Sequence, residues 1–215
     1  MSNATRSFTA ALAAGTVLFA AACSSETDPA VEPSAASGAR SVIEPGEATP
    51  MIAQGVEIGS DATVYKTSGI GPSAMNKAAP EGSAESYIDT DQFSGGTLPA
   101  GVSVTEAQGI GVLKKIRSNL EAEGYALEDV VTMRVFLDNA PGTERADYSG
   151  WNRAYRQFFA NTDLDSNETE LVPMGTAEPA APMERNAARP SRFALEVASL
   201  PVPGWLVEVE VDAVK

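Results

Sequence analysis

Arg192, Glu208, Glu210 and Asp212, close to the C-terminal end, are the residues whose types and spacing could do chemistry. A guanidinium carried on a strand can grip a planar carboxylate through two parallel hydrogen bonds, a fit that a lysine does not reproduce. A carboxylate such as Glu208, set beside a bound electrophile, can orient a water and take its proton. The same pair reads equally as a cross-strand Arg–Glu contact worth about 0.2–1 kcal/mol to a sheet. The chain has no histidine. That removes the commonest general base, the Ser-His-Asp and Cys-His arrangements and nearly every catalytic zinc site. The chemistry expected is one of carboxylates, arginine, backbone groups and water, without metal or cofactor.

Two runs with period-two alternation must position these groups. Arg192–Leu200 sets Phe193, Leu195 and Val197 against Arg192, Ala194 and Glu196, and Trp205–Val214 sets Trp205, Val207, Val209, Val211 and Ala213 against Leu206, Glu208, Glu210 and Asp212. Pro201-Val202-Pro203-Gly204 supplies a turn between them. The apolar sets are expected under helices. The polar sets, with Arg192, Glu208, Glu210 and Asp212, are expected to meet a ligand, water or a partner subunit.

Upstream, Met51–Ile58 and Thr63–Ser68 read as a hairpin turning at Gly59-Ser60-Asp61-Ala62. Ser103-Val104-Thr105-Glu106 is a capping box. It opens a helix to about Glu123, with Ala107, Ile110, Leu113, Ile116 and Leu120 on one face and Gly124 as its cap. Val130–Asp138 is nearly all apolar, the pattern of a strand covered on both faces. A second helix is predicted over Ala146–Ala160, with Trp151, Ala154, Tyr155, Phe158 and Phe159 as its core stripe. Residues 73–102 and 161–188 lack periodicity and read as long insertions. The order β-β-α-β-α-β-β implies an α+β layer, two helices on one mixed sheet.

The 215 residues suit one domain with appendages, and 43% hydrophobic residues supply a sizeable core. The net charge of −14 opposes a phosphate backbone, so no nucleic-acid partner is expected. Residues 1–23 read as an export signal, with Arg6 ahead of an apolar run from Phe8 to Ala22. Ala20-Ala21-Ala22-Cys23 resembles a bacterial lipobox, although alanine stands where leucine is expected, and makes Cys23 the lipidated residue. Plain cleavage with an incidental thiol is the other reading. The expected location is the cell envelope, anchored by lipid and facing the periplasm, with a soluble periplasmic form as the alternative. Residues 24–48, rich in Ser, Ala, Pro, Glu and Gly, read as a flexible tether, leaving 49–215 as the domain.

Three blocks in order carry a resemblance: Arg189-Pro190-Ser191-Arg192, Glu196-Val197-Ala198-Ser199-Leu200-Pro201, and Val207-Glu208-Val209-Glu210-Val211-Asp212-Ala213. They resemble the C-terminal signature of the reactive-intermediate deaminase (Rid, or YjgF-like) family, known in older usage as L-PSP endoribonuclease. Ser68-Gly69-Ile70-Gly71-Pro72 is similar to the family's S-G-x-x-P, and Asn152 with Tyr155 to its N-x-x-Y. The resemblance implies a chorismate-mutase-like fold, a homotrimer with sites between subunits, and hydrolysis of 2-imino acids or their enamine tautomers to 2-oxo acids and ammonia. It assigns Glu208 as the water-activating catalytic residue and Arg192 as the carboxylate clamp. Ala194, Ser68, Gly69 and Asn152 complete the substrate-binding set. Ala194 stands where the family often has cysteine, no counterpart of an N-terminal tyrosine occurs in Pro50–Gln54, and the Arg192–Glu208 interval is about one residue longer. A non-catalytic small-carboxylate binder and an endoribonuclease are the other functions considered.

Overall fold

The computed structural model describes residues 38–215. Helices α1 (Val104–Ala122) and α2 (Tyr148–Arg156) lie on one face of a four-stranded mixed sheet. The sheet is ordered β3 (Val64–Lys66), β6 (Val207–Val214), β4 (Val130–Leu137), β5 (Ser191–Glu196). β5 runs parallel to β4, whereas β6 is antiparallel to both β4 and β3. A separate two-stranded sheet, β1 (Ala39–Val42) with β2 (Gly55–Ile58), packs through Ala39 and Val56 onto Val131 and Val214.

α1 begins where Ser103 accepts the Glu106 amide at 3.1 Å, and it ends before Gly124 at a φ of 79°. Its Ala107, Ile110, Leu113, Ile116 and Leu120 are completely buried. Each of the four larger side chains is worth about 1.5–3 kcal/mol in burial. They meet Met133, Val135 and Leu137 of β4 and Val207, Val209 and Val211 of β6, alternate residues pointing to one side. α2 is capped by Asp147, which accepts the Gly150 amide at 2.7 Å. It is shorter than the apolar stripe suggests because residues 157–160 leave the helix in turns, ending at Ala160 with a φ of 53°. Phe158 and Phe159 still enter the core.

Several expectations are corrected. The export signal and lipidated Cys23 expected in residues 1–23 lie outside the described residues and are not among these corrections. The tether assigned to 24–48 does not extend that far, because β1 already pairs with β2 over Ala39–Val42. The hairpin of Met51–Ile58 with Thr63–Ser68 does not form: β2 pairs with β1, and β3 takes the outer edge of β6. Beyond Val131, which the β1–β2 sheet covers, β4 is covered on one face only, leaving Thr132, Arg134 and Phe136 half-buried on the other. The two C-terminal strands are not neighbours either. Val197 donates to the Leu137 carbonyl at 2.9 Å and Asp138 to that of Leu206 at 3.1 Å, so the connection clasps the end of β4 and puts a strand on each of its edges.

Candidate functional site

Register decides which side chains share a face. Arg192, Ala194 and Glu196 stand beside Met133, Val135 and Leu137, on the helix-covered side. Phe193 and Leu195 stand beside Arg134 and Phe136 on the open side, 45% and 51% exposed. This inverts the expected facing of β5. Its polar set faces the helices, and its apolar set is left uncovered.

The inversion has a local cause in α2. Asn152 and Tyr155, three residues apart, lie on the same helix face. Arg192 Nη2 donates to Asn152 Oδ1 at 2.9 Å, and its guanidinium carbon sits 4.2 Å from the centroid of the Tyr155 ring. Nη1 is buried without a hydrogen-bond partner, and Arg192 has no ion pair among the described residues. Burial pulls the Arg192 pKa below the ordinary arginine value, offset in part by Tyr155. Burial also pushes the Tyr155 phenol up to about 12, so it stays a donor, to the Met51 carbonyl at 2.8 Å. A guanidinium held by a neutral amide and a ring, with donors left over, is arranged to receive an anion.

Glu208, Glu210 and Asp212 stand beside Phe136, Arg134 and Thr132 on the open face. Arg134 bridges Glu210 at 3.2 Å and Asp212 at 2.8 Å, and Lys66 bridges Asp212 at 2.8 Å. Burial works to raise the Asp212 pKa, but the Arg134 and Lys66 contacts outweigh it and hold the carboxyl below its ordinary value. Glu208 makes none of these ion pairs. It lies instead against the backbone of Gly69, where any Cβ would strike its carboxylate. β3 pairs Lys66 with Asp212, yet the next bridge joins Ile70 to Val209. The intervening one-residue slip is a bulge at Ser68–Gly69, a common device for aiming a site.

The structure therefore brings the predicted residues together as two groups. Arg192, Asn152 and Ala194 form one; Ser68, Gly69 and Glu208 form the other. Arg192 is aligned with Met133 and Glu208 with Phe136, on strands flanking β4, so their backbones are about 14 Å apart. Their side chains leave opposite faces, which excludes the cross-strand Arg192–Glu208 pair. The expected common polar face of Arg192 with Glu208, Glu210 and Asp212 is likewise replaced by this split.

Buried polar groups that the sequence did not single out fix both ends. Arg189, 1% exposed, donates to the Pro50 carbonyl at 3.0 Å, to Ala187 at 2.5 Å and to Thr162. Burial lowers its pKa to about 10. It gathers three chain segments around the start of β5, where Ala53 bridges Ser191. Glu106, fully buried on α1, pairs with Arg153 at 2.8 Å beside Asn152 and accepts the Gly175 amide at 2.9 Å. Desolvation raises its pKa against those contacts. Gln108 donates to the carbonyls of Ala84 and Gly204 and accepts the Leu206 amide. Arg189 had a cue in the arginine–proline block, and Glu106 one in the capping box, although its carboxylate goes to Arg153 and Gly175 and not back to Ser103; Gln108 carried none.

An α+β chain of this topology defines the class. The Endoribonuclease L-PSP family profile matches residues 93–215. The chain belongs to that family, also called Rid or YjgF-like, which includes imine deaminases. Among solved structures, it is similar to a YjgF-family member from Mycobacterium tuberculosis, with 20% identity over 81% of this chain and 98% of that one and a TM-score of 0.39. The Rid protein YyfB of Yersinia pestis shares 21% identity over 82% and 98%, with a TM-score of 0.41. TdcF of E. coli, solved with bound serine, shares 24% over 82% and 99%, with a TM-score of 0.39. No curated protein matches.

Proposed function

We propose that the protein is a homotrimeric hydrolase of 2-imino acids and their enamine tautomers, its site assembled from Arg192 of one protomer and Glu208 of the next. The observation that carries this reading is Arg192: a half-buried guanidinium with no carboxylate partner among the described residues, one nitrogen on Asn152 and the other buried without a hydrogen bond. Such a group invites a carboxylate of matching planar geometry. In the reaction, the clamp presents the C2=N bond to a water oriented by Glu208. Glu208 takes a proton as the water oxygen bonds to C2. Glu208 passes that proton to the nitrogen to give the carbinolamine, then relays the C2 hydroxyl proton to the amine, which leaves as ammonia while the C2 oxygen becomes the ketone. No redox change or cofactor enters.

A small substrate cannot span the about 14 Å between the two groups, which is why the site needs two chains. The uncovered Phe193 and Leu195 and the half-buried charges of Arg134 and Glu210 support burial of the open face by copies of this chain. We place the protein in the cell envelope, tethered through Cys23. Cys23→Ala should move it from membranes to the soluble fraction.

The family's older endoribonuclease name gains no support from a chain of net charge −14 without histidine. A non-catalytic carboxylate binder is the competing reading. An assay coupled to freshly generated 2-imino acids separates the two: Glu208→Gln should abolish turnover while carboxylate binding survives. Wild-type protein that binds carboxylates yet leaves imines untouched is the binder.

A further inference from the structure

A cavity of about 320 Å³ opens beside α1, with neither Arg192 nor Glu208 in its lining. Its α1 side presents Gly111, Lys114 and Lys115, and the inserted loop closes it with Met75, Tyr87 and Asp89. Gly111 makes the space: a Cβ there would meet nothing within 4 Å. The Tyr87 ring stands edge-on to Trp205 at 6.4 Å, so the apolar wall is anchored in the domain. In a chain of net charge −14, the lining carries two ammonium groups against one carboxylate. Asp89 accepts the Asp91 amide at 3.2 Å, and its charge acts on Lys114, leaving one positive charge in excess. Lys115 donates to the Gly71 carbonyl at 2.7 Å. Lys114 is half-buried and makes no hydrogen bond or ion pair among the described residues.

We propose that this cavity is a second ligand site, taking a small monocarboxylate with a flat apolar body. The single excess positive charge suits one carboxylate better than a phosphate dianion. The tyrosine wall and methionine rim suit a planar apolar body, and the volume is that of a small ligand pocket. Burial lowers the pKa of both lysines, and a bound anion would relieve that desolvation by pairing. The inference does not depend on the imine reaction.

The test uses the full-length chain carrying Arg192→Ala, so that the clamp does not compete, with 4-methylbenzoate as probe and neutral 4-methylbenzamide as control. Calorimetric titration should show saturable benzoate binding, and the amide should bind at least tenfold more weakly. Adding Lys114→Gln should weaken benzoate at least tenfold. Gly111→Leu should do the same by filling the cavity, without loss of helix content by circular dichroism, because leucine is the better helix former. Absence of saturable binding in the Arg192→Ala chain overturns the proposal. So does equal binding of the amide, or undiminished binding in either added variant.

Discussion

Arg192 is a residue whose neighbours leave its charge unanswered. It packs on Tyr155 and bonds Asn152, but no carboxylate reaches it among the described residues. Charge-assisted bonds contribute about 1.5–3 kcal/mol each, so losing two lowers kcat/KM by two orders of magnitude or more. Arg192→Ala should show that loss in the coupled imine assay, with Arg192→Lys recovering only part of it because the fork is gone. Asn152→Ala removes one orienting bond and should cost about tenfold, expressed mainly in KM. A wild-type rate in Arg192→Ala would return the arginine to a purely structural role. The motif spacing made Asn152 and Tyr155 legible, since positions three apart share a helix face. Their meeting with Arg192 was not legible, because nothing local says which face of β5 looks toward α2.

At the scale of elements, α1 and the apolar face of β6 followed directly from a capping box, a 3.6-residue stripe and strict alternation. Strand partners did not. Val64–Lys66 and Gly55–Ile58 carry turn chemistry between them, yet their edges pair elsewhere, a choice made by tertiary packing and invisible to periodicity. The bulge at Ser68–Gly69 is the element that aims Glu208. Gly69→Ala should drive the carboxylate aside, cutting kcat at least tenfold with little change in Tm. Gly71→Ala instead strikes the Trp205 ring and should lower Tm. The open sheet face makes a pH prediction. Asp212 titrates below its ordinary value of 3.8 in the folded chain, so its contribution is full above that pH and fades as pH falls through the lower folded value. Asp212→Asn should therefore destabilise by about 1–3 kcal/mol at neutral pH, since it leaves Arg134 with Glu210 alone and removes the Lys66 contact. Denaturation curves of the two proteins should converge as the pH falls through that lower folded value. A gap that persists there would show that packing, and not charge, sets the loss.

For the whole molecule, Arg192 and Glu208 leave opposite faces of the sheet, and the proposed site joins them by assembly. Phe193→Glu places a charge on the uncovered face and should convert a trimer into monomers by sedimentation, with loss of imine hydrolysis. The account rests most directly on mixed protomers. Arg192→Ala and Glu208→Gln proteins, each inactive alone, are unfolded together and refolded at equal ratio. In a cyclic trimer each interface draws one group from each neighbour, so about one interface in four regains both wild-type groups. Activity near a quarter of wild type is the result predicted. A mixture no more active than its two parents would contradict a site shared between chains.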